Sequence, residues 1–174
     1  MPIFQLTGLS GAGKTTLATQ VVELLRAKGM AAEMIDGDVY RKTICKDLGF
    51  TKEDRLENIR RLGTVAGALS KEGKIVLIAA ISPFQEARWE LERNYQARTV
   101  FLHCSLEVLR QRDTKGLYRK AALPEGHPDK VQLLTGVSDV YEAPINPHLM
   151  IDTGKEPLTL SVAKLLDFII GEVP

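Results

Sequence analysis

The sequence predicts an α/β fold, a five-stranded parallel sheet with helices on both faces and a lid, in a single domain over residues 1–174. Three observations support this prediction. Short apolar segments alternate with amphipathic segments along the whole chain, as strands and crossover helices do in parallel sheets. A glycine-rich loop separates the first apolar segment from the first amphipathic one. The length of 174 residues is enough for one sizeable core, and no linker or internal repeat divides it.

The elements of the amino-terminal half follow from apolar periodicity and from residues that begin or end helices. The first helix is followed by Gly29, which can adopt the left-handed conformation that ends a helix. The second helix is preceded by Thr51 with Asp54 three positions later, the pattern of a capping box. The predicted elements are strand Ile3–Leu6, helix Lys14–Lys28, strand Ala31–Ile35 and helix Lys52–Ser70.

The carboxyl-terminal half continues the alternation. Residues 75–81 form the longest apolar run, which suits a buried strand, and Ser105 can cap a helix. Two prolines and a glycine interrupt residues 123–130, so we expect a mobile lid over about residues 115–137. The predicted elements are strand Ile75–Ile81, helix Pro83–Tyr95, strand Thr99–Cys104, helix Leu106–Arg112, strand Leu149–Ile151 and helix Leu158–Ile170.

The glycine-rich loop at residues 8–16 fits the phosphate-binding pattern G-x-x-x-x-G-K-[ST]. Its glycines permit positive φ, so backbone N–H groups can turn inward around a polyphosphate. Lys14 adds a charge for the β- and γ-phosphates, and Thr15 adds a hydroxyl ligand for Mg²⁺. A glycine-rich turn with a surface lysine is the alternative, which the strand–loop–helix context disfavours. The residues expected at this nucleoside triphosphate site are Gly8, Leu9, Ser10, Gly11, Ala12, Gly13, Lys14, Thr15 and Thr16.

Two carboxylates, Asp36 and Asp38, directly follow the second strand and are expected at the carboxyl edge of the sheet. There they could hold Mg²⁺ through water and could orient or deprotonate an attacking hydroxyl. The alternative is an ordinary turn, because Asp and Gly are frequent turn residues. The position relative to the phosphate loop favours the functional interpretation.

Two groups of mainly basic residues follow the carboxylates. The first could bind an anionic second substrate, because a planar guanidinium grips phosphate or sulfate through two hydrogen bonds. A solvated charged helix explains that group equally well. The second group flanks the predicted lid and could close over the triphosphate, although surface charge remains the alternative for Arg119 and Lys120. The first group is Arg41, Arg55, Asn58, Arg60 and Arg61; the second is Arg112, Asp113, Lys115, Arg119 and Lys120.

Composition excludes several classes of protein. With 23 Lys+Arg against 22 Asp+Glu, the charge gives no reason to expect binding to nucleic acid, and no apolar run is long enough for a membrane span. Cys45 and Cys104 form no motif with each other or with the histidines, so we expect reduced thiols, no structural metal and a cytoplasmic location. A cleavable signal peptide is not expected, because its removal would destroy the phosphate loop.

Taken together, these segments resemble the adenylylsulfate kinase (APS kinase) family along nearly the whole chain. The D-R-x-E-N-I-R-R, K-G-L-Y and Y-E-A-P runs are far more specific than the phosphate loop alone. The matching segments are 6–16, 36–38 with Arg41, 47–50, 54–61, 81–83, 112–113, 115–118, 135–136 and 141–144.

The resemblance implies transfer of the γ-phosphoryl group of MgATP to the 3′-hydroxyl of adenosine 5′-phosphosulfate (APS), giving PAPS and ADP. It implies that Asp38 lies nearest the attacking hydroxyl and that Arg112 stacks on the ATP adenine. It also suggests a homodimer and functional coupling to an ATP sulfurylase. The implied contacts to APS come from Asp36, Asp38, Arg41, Phe50, Arg55, Asn58, Ile81, Ser82, Lys115 and Leu134.

Ser82 has two interpretations. The family has been described as using this serine as a phosphoserine intermediate. From the residues alone, Ser82 is the N-cap of a helix with Pro83 at its first position and Gln85 as the capping-box partner. We favour the N-cap, because direct in-line transfer needs no protein nucleophile.

The chain departs from the family pattern at several positions. Val39 stands where Asn is usual, Gln85 replaces an Arg, and the segment between Lys120 and Leu134 is longer. Leu134 replaces a Phe that would stack on the APS adenine, a difference of about 1 kcal/mol. We therefore expect weaker APS binding or altered lid closure.

Other functions remain to be weighed against the APS kinase prediction. A kinase of the same fold could use a sugar acid or a nucleoside phosphate as its acceptor. A nucleotide-dependent switch would need a guanine-selecting motif after a late strand, and the T-K-x-D match at Thr51 instead begins a helix. A kinase of nucleic-acid ends is disfavoured by the near-neutral charge.

Overall fold

The computed structural model describes residues 1–173. The elements, in chain order, are β1 (Ile3–Thr7), α1 (Lys14–Ala27), β2 (Ala32–Asp36), α2 (Gly37–Tyr40), α3 (Lys52–Lys71), β3 (Ile75–Ala79), α4 (Gln85–Tyr95), β4 (Arg98–His103), α5 (Leu106–Arg112), α6 (Leu117–Ala121), β5 (Leu149–Asp152) and α7 (Leu158–Glu172). All strand pairs are parallel, and the strand order is β2-β3-β1-β4-β5. The predicted α/β fold with a five-stranded parallel sheet is therefore confirmed.

The strands place alternate side chains into two cores on opposite faces of the sheet. Phe4 and Leu6 of β1 join the core under α1 and α7. Val76 and Ile78 of β3 join the core under α3 and α4. This two-sided burial is the reason that the central strands read as continuous apolar runs. No helix within residues 1–173 combines the length and the apolar character needed to cross a membrane.

Two short helices, α2 and α6, were not predicted, because four or five residues are too few to show a helical period. In each of them an aspartate side chain that precedes the helix accepts hydrogen bonds from N–H groups of the first turn. At α2, the Asp36 side chain accepts a hydrogen bond from the N–H of Asp38 at 2.8 Å. At α6, the Asp113 side chain accepts from the N–H groups of Tyr118 and Arg119 at 3.0 and 3.1 Å. These carboxylates supply the caps that the short segments need.

The connection between β3 and α4 differs from the prediction at both ends. β3 ends at Ala79 instead of Ile81, and α4 begins at Gln85 instead of Pro83. Residues 80–84 run as irregular backbone past the carboxyl edge of the sheet. Thr7 at the end of β1 holds this connection, because its hydroxyl donates to the Ile81 carbonyl at 2.6 Å.

Helices α3 and α4 approach closely at two glycines of α3. A Cβ at Gly63 would overlap Cδ2 of Leu91 and lie 3.0 Å from the Tyr95 ring. A Cβ at Gly67 would lie 2.7 Å from the same ring. The absence of side chains at these positions therefore sets the spacing of the two helices, of which α3 carries Arg55 and Asn58.

We expect Gly63→Ala to lower the free energy of unfolding by about 1–3 kcal/mol, because the buried Leu91 must move to admit the new methyl group. Gly171→Ala is the matched control, since Gly171 is also helical and its Cβ would meet no atom within 4 Å. That control is expected to raise the free energy of unfolding by up to about 1 kcal/mol through helix propensity. Urea unfolding measures both, and equal shifts for the two variants would contradict this account.

Candidate active site

A cavity of about 610 Å³ opens at the carboxyl edge of the sheet. Its walls come from the glycine-rich loop, α2 and the residues after it, the first half of α3, the β3–α4 connection and the predicted lid. Gly8, Leu9, Ala12 and Arg112 are not part of its lining. The predicted site residues that line it are Ser10, Gly11, Gly13, Lys14, Thr15, Thr16, Asp36, Asp38, Arg41, Phe50, Arg55, Asn58, Ile81, Ser82, Lys115 and Leu134.

The glycine-rich loop has the backbone of a phosphate cradle. Gly8, Gly11 and Gly13 have φ values of 150°, 79° and 90°. A Cβ at Gly8 would lie 2.5 Å from the carbonyl oxygen of Leu102, so this position excludes a side chain for steric reasons as well. The loop leads directly into α1, whose amino terminus favours anions.

Lys14 bends back onto its own loop. Its Nζ donates hydrogen bonds to the carbonyl oxygens of Gly8 at 2.8 Å and Leu9 at 2.9 Å. Burial and, next, the charge of Lys115 lower the pKa of Lys14 to about 8, although Asp38 and Asp36 oppose this shift. The lysine is therefore held close to the cradle, in a setting that disfavours its charged form until an anion is present.

Asp36 and Asp38 lie at the edge of the sheet, as their positions after the second strand predicted. The Thr15 hydroxyl donates to Asp36 Oδ2 at 2.7 Å, while Asp36 Oδ1 caps α2. The Asp38 side chain is 67% exposed and its carboxylate pairs with Lys115 of the lid. A hydroxyl and two carboxylates beside a phosphate cradle could hold Mg²⁺ that keeps water and phosphate oxygens as its remaining ligands.

A cationic and aromatic group forms another part of the cavity wall. The guanidinium carbons of Arg41 and Arg55 lie 4.6 and 5.4 Å from the centre of the Phe50 ring. Phe50 is 54% exposed, so its ring is open to a ligand. Arg55 and Asn58 are buried at 6% and 5% exposure, and Asn58 Oδ1 has no hydrogen-bond partner within the described residues. Burial, together with the charge of Arg55, lowers the pKa of Arg41.

The other two arginines of the predicted cluster do not line the cavity. Arg60 binds Glu57 and Glu90 through ion pairs of 2.6 and 2.9 Å. Arg61 binds both carboxylate oxygens of Asp47, at 2.7 and 2.9 Å. The charged-helix alternative therefore describes Arg60 and Arg61. Arg61 also ties α3 to the segment that carries Arg41 and Phe50.

The prediction that Ser82 is an N-cap is wrong. Helix α4 begins at Gln85, and Phe84 precedes it without a side-chain cap. The first N–H of α4 is instead satisfied by Glu142, whose Oε2 accepts from Gln85 N at 2.7 Å. Ser82 itself has a left-handed φ of 43°, and its buried Oγ has no hydrogen-bond partner in residues 1–173. The helix is therefore capped by a glutamate that is distant in the sequence, and not by the serine that the local sequence predicted.

Arg88 explains how the Ser82 backbone is held. This arginine is fully buried, and its Nη1 donates to the Ser82 carbonyl at 2.6 Å. Its Nη2 donates to the Glu142 carbonyl at 2.6 Å and to Gln85 Oε1 at 2.8 Å. Sequence reasoning missed Arg88, because an arginine on an amphipathic helix gives no sign of complete burial.

The start of the predicted lid is held by Asp113, whose side chain accepts hydrogen bonds from the first turn of α6. Helix α6 places the Tyr118 hydroxyl 2.8 Å from the Ser10 carbonyl, where it donates a hydrogen bond to the glycine-rich loop. Arg119 is 85% exposed and pairs only with Asp113 among the described carboxylates, so the surface-charge alternative suits it. Arg112 donates to the Thr153 carbonyl at 2.7 Å, beside Cys104.

The end of the predicted lid and the turn after it contribute Leu134, which the resemblance implied, and Thr135 and Asp139, which the sequence did not single out as site residues. Leu134 is 4% exposed and packs into the core under α1, while it also lines the cavity. Thr135 is buried with an unpartnered Oγ1 within residues 1–173. Asp139 lies 2.8 Å from Arg55. No periodicity marks these positions, because they lie in an irregular turn.

Comparison with known proteins places the chain in a family. The family model for adenylylsulphate kinase matches residues 2–152. An adenylyl-sulfate kinase of Deinococcus deserti is 48% identical over 162 residues, which are 92% of this chain and 87% of that protein. A protein of Sorangium cellulosum named "Probable bifunctional SAT/APS kinase 2" is 44% identical over 97% of this chain, which corresponds to 29% of that longer protein.

A solved structure agrees with the sequence comparison. The APS kinase of Mycobacterium tuberculosis in complex with AMPPNP and APS has a TM-score of 0.89 and 34% identity to this chain, with 97% of each chain covered. The resemblance drawn from the D-R-x-E-N-I-R-R and Y-E-A-P runs is thereby confirmed. One cavity holds a phosphate cradle, a carboxylate pair and an arginine cluster, and the likeness covers most of the chain. The chain belongs to the adenylylsulfate kinase family.

Proposed function

We propose that this chain transfers the γ-phosphoryl group of MgATP to the 3′-hydroxyl of APS, giving PAPS and ADP. The observation that carries the proposal is that one cavity holds both the glycine-rich loop and the Arg41, Phe50, Arg55 and Asn58 group. The loop suits a polyphosphate, and the group suits an anion attached to an aromatic base. Family membership supports the same reaction.

ATP binds in this proposal at the glycine-rich loop. Lys14 leaves the carbonyl oxygens of Gly8 and Leu9 and moves to the β- and γ-phosphates, which restore its charged form. Thr15 and Asp36, with Asp38 nearby, would hold Mg²⁺, which would supply positive charge that offsets the phosphates. Arg112 stacks on the adenine ring.

APS binds in this proposal at the arginine group. The guanidinium groups of Arg41 and Arg55 bind the phosphosulfate, and the open face of Phe50 packs on the adenine. Asn58 offers its unpartnered amide oxygen to the ligand. Ile81 and Leu134 supply apolar wall on the same cavity.

Asp38 orients the 3′-hydroxyl and accepts its proton during in-line transfer. In the structure this carboxylate pairs with Lys115 of the lid. The pair must separate for Asp38 to meet the hydroxyl, and Lys115 is then free to neutralise charge on the transferring phosphoryl group.

We further propose a cytoplasmic homodimer that works with an ATP sulfurylase. The dimer follows from family resemblance. The bifunctional SAT/APS kinase of Sorangium cellulosum supports the coupling, because there an APS kinase region is part of a longer chain. The absence of a helix suited to cross a membrane, within residues 1–173, is compatible with the location.

The acceptor is tested by measuring ADP release from MgATP with APS, adenosine 5′-monophosphate, gluconate or no acceptor, and by identifying PAPS chromatographically. We expect saturable turnover with APS. Asp38→Asn is expected to lower kcat by at least about 100-fold, because Asp38 acts on the hydroxyl. Turnover with another acceptor alone would retain a kinase and reject APS as the substrate.

Ser82→Ala is expected to retain most of the turnover, because Ser82 Oγ makes no hydrogen bond within residues 1–173 and in-line transfer needs no nucleophile. Labelled γ-phosphate is expected not to stay on the wild-type protein when no acceptor is present. Ser82→Gly is the companion variant, and relief of the left-handed backbone is expected to stabilise it by about 1 kcal/mol. Loss of turnover in Ser82→Ala, with a labelled wild type, would establish the covalent route instead.

Nucleotide affinity is expected to fall as the pH rises above about 8, because the pKa of Lys14 in the empty protein is lowered to about 8 and ATP binds the charged form. Binding near pH 9 is therefore accompanied by proton uptake, which calorimetry in two buffers of different ionisation enthalpy measures. Lys115→Met removes the charge that is the second cause of the lowered pKa of Lys14. The pH at which nucleotide affinity begins to fall is therefore expected to be higher in this variant. Affinity that stays constant from pH 7.5 to 9.5, a range that brackets about 8, would disprove the coupling.

A further inference from the structure

Arg55 is a buried cation whose counter-ion comes from the end of the lid. Its Nη2 lies 2.8 Å from Oδ2 of Asp139, an ion pair without the geometry of a hydrogen bond, and the two side chains are 7% and 19% exposed. The same nitrogen donates to the Leu133 carbonyl at 3.1 Å, and Nε donates to the Phe50 carbonyl at 3.1 Å. The guanidinium thus joins α3 to two separate segments of the cavity wall.

Asp139 is itself held by a tight turn at residues 134–139. Its N–H donates to the Leu134 carbonyl at 3.2 Å, and its carbonyl accepts from Gly136 N at 2.7 Å. Its Oδ1 accepts from the next backbone N–H at 2.9 Å, which leaves Oδ2 to Arg55. The carboxylate therefore meets Arg55 from a fixed position, unlike a carboxylate on a long exposed side chain.

These contacts orient the rest of the guanidinium. Nε and Nη2 each donate to a backbone carbonyl, whereas Nη1 of Arg55 has no hydrogen-bond acceptor within residues 1–173. Because the guanidinium is planar, two fixed nitrogens fix the third. Asn58 Oδ1 and Thr135 Oγ1 also line this cavity as buried atoms without partners in the described chain. The polar groups are thus arranged before a ligand arrives.

We propose that Asp139 is a positioning residue, whose carboxylate holds Arg55 so that Nη1 is presented to the anionic group of the acceptor. The proposal rests on the acceptor site proposed above. A buried guanidinium that loses its counter-ion is strongly disfavoured and turns towards water. The acceptor must then reorder Arg55 and displace that water, so its binding weakens more than the rate of the bound complex falls.

The opposite effect is also physically conceivable and can be measured. If Asp139 merely competed with the acceptor for Arg55, its removal would strengthen acceptor binding through the added positive potential. The sign of the change in KM therefore separates positioning from competition.

Asp139→Asn keeps the size of the side chain and removes its charge. The KM for APS is expected to rise by about tenfold or more, with kcat changed by less than about threefold and the KM for MgATP unchanged. Asp139→Glu restores a carboxylate and is expected to recover part of the loss. Asp129→Asn is the matched control, because Asp129 is an exposed lid aspartate with no ion pair within the described residues.

A double variant tests whether Asp139 acts through Arg55. Arg55→Met raises the KM for APS by itself, and adding Asp139→Asn to it is expected to raise the KM no further. An unchanged or lower KM for APS in Asp139→Asn overturns the proposal. A parallel rise in the KM of both substrates also overturns it, since that result indicates general structural support.

Wild-type turnover with APS tests the proposed function separately. Should the wild type not turn over APS, the same variants are compared by calorimetry for binding of adenosine 5′-monophosphate with saturating MgADP on the glycine-rich loop. A Kd that rises about tenfold in Asp139→Asn supports the positioning role for an anionic acceptor of another kind. A Kd within about twofold of the wild type overturns it.

Discussion

The two carboxylate oxygens of Asp36 join the glycine-rich loop to α2. Oδ2 accepts from the Thr15 hydroxyl at 2.7 Å, and Oδ1 caps α2, the helix that presents Asp38. Asp36 ends β2, which pairs with β3, and β3 pairs with β1, the strand before the glycine-rich loop. The parallel sheet therefore fixes the distance between loop and helix, and the other cavity walls are arranged around this junction.

The segment from Asp113 to Asp139, which includes the predicted lid, contacts both sides of this junction. At its beginning, Asp113 caps α6 and Tyr118 donates to the glycine-rich loop. At its end, Gly136 packs against Leu9 of the same loop, with no room for a side chain, and Asp139 pairs with Arg55. This segment thus contacts the glycine-rich loop and also contacts Asp38 and Arg55, so a change on either side of the cavity affects a shared element.

The arginines show how one residue type takes different roles in one small fold. Arg55 is buried with a carboxylate partner and leaves one nitrogen available. Arg61 uses both carboxylate oxygens of Asp47 to hold the segment before α3. Arg88 is fully buried and binds carbonyl oxygens, with burial lowering its pKa. Of these three arginines, Arg55 is the one that lines the cavity, so its free donor is within reach of an anionic ligand.

The sequence by itself determined the sheet, the cradle and the carboxylate edge, because apolar periodicity, glycine spacing and capping residues act over a few neighbouring positions. It also indicated the family through runs of specific residues. The tertiary structure alone decided which charges face the cavity: Arg55 does, Arg61 does not, and Asp139 joins Arg55 from 84 positions along the chain (55 to 139). It also decided that Glu142, and not Ser82, accepts the hydrogen bond from the first N–H of α4. Such pairings depend on contacts between distant segments, for which local sequence carries no physical signal.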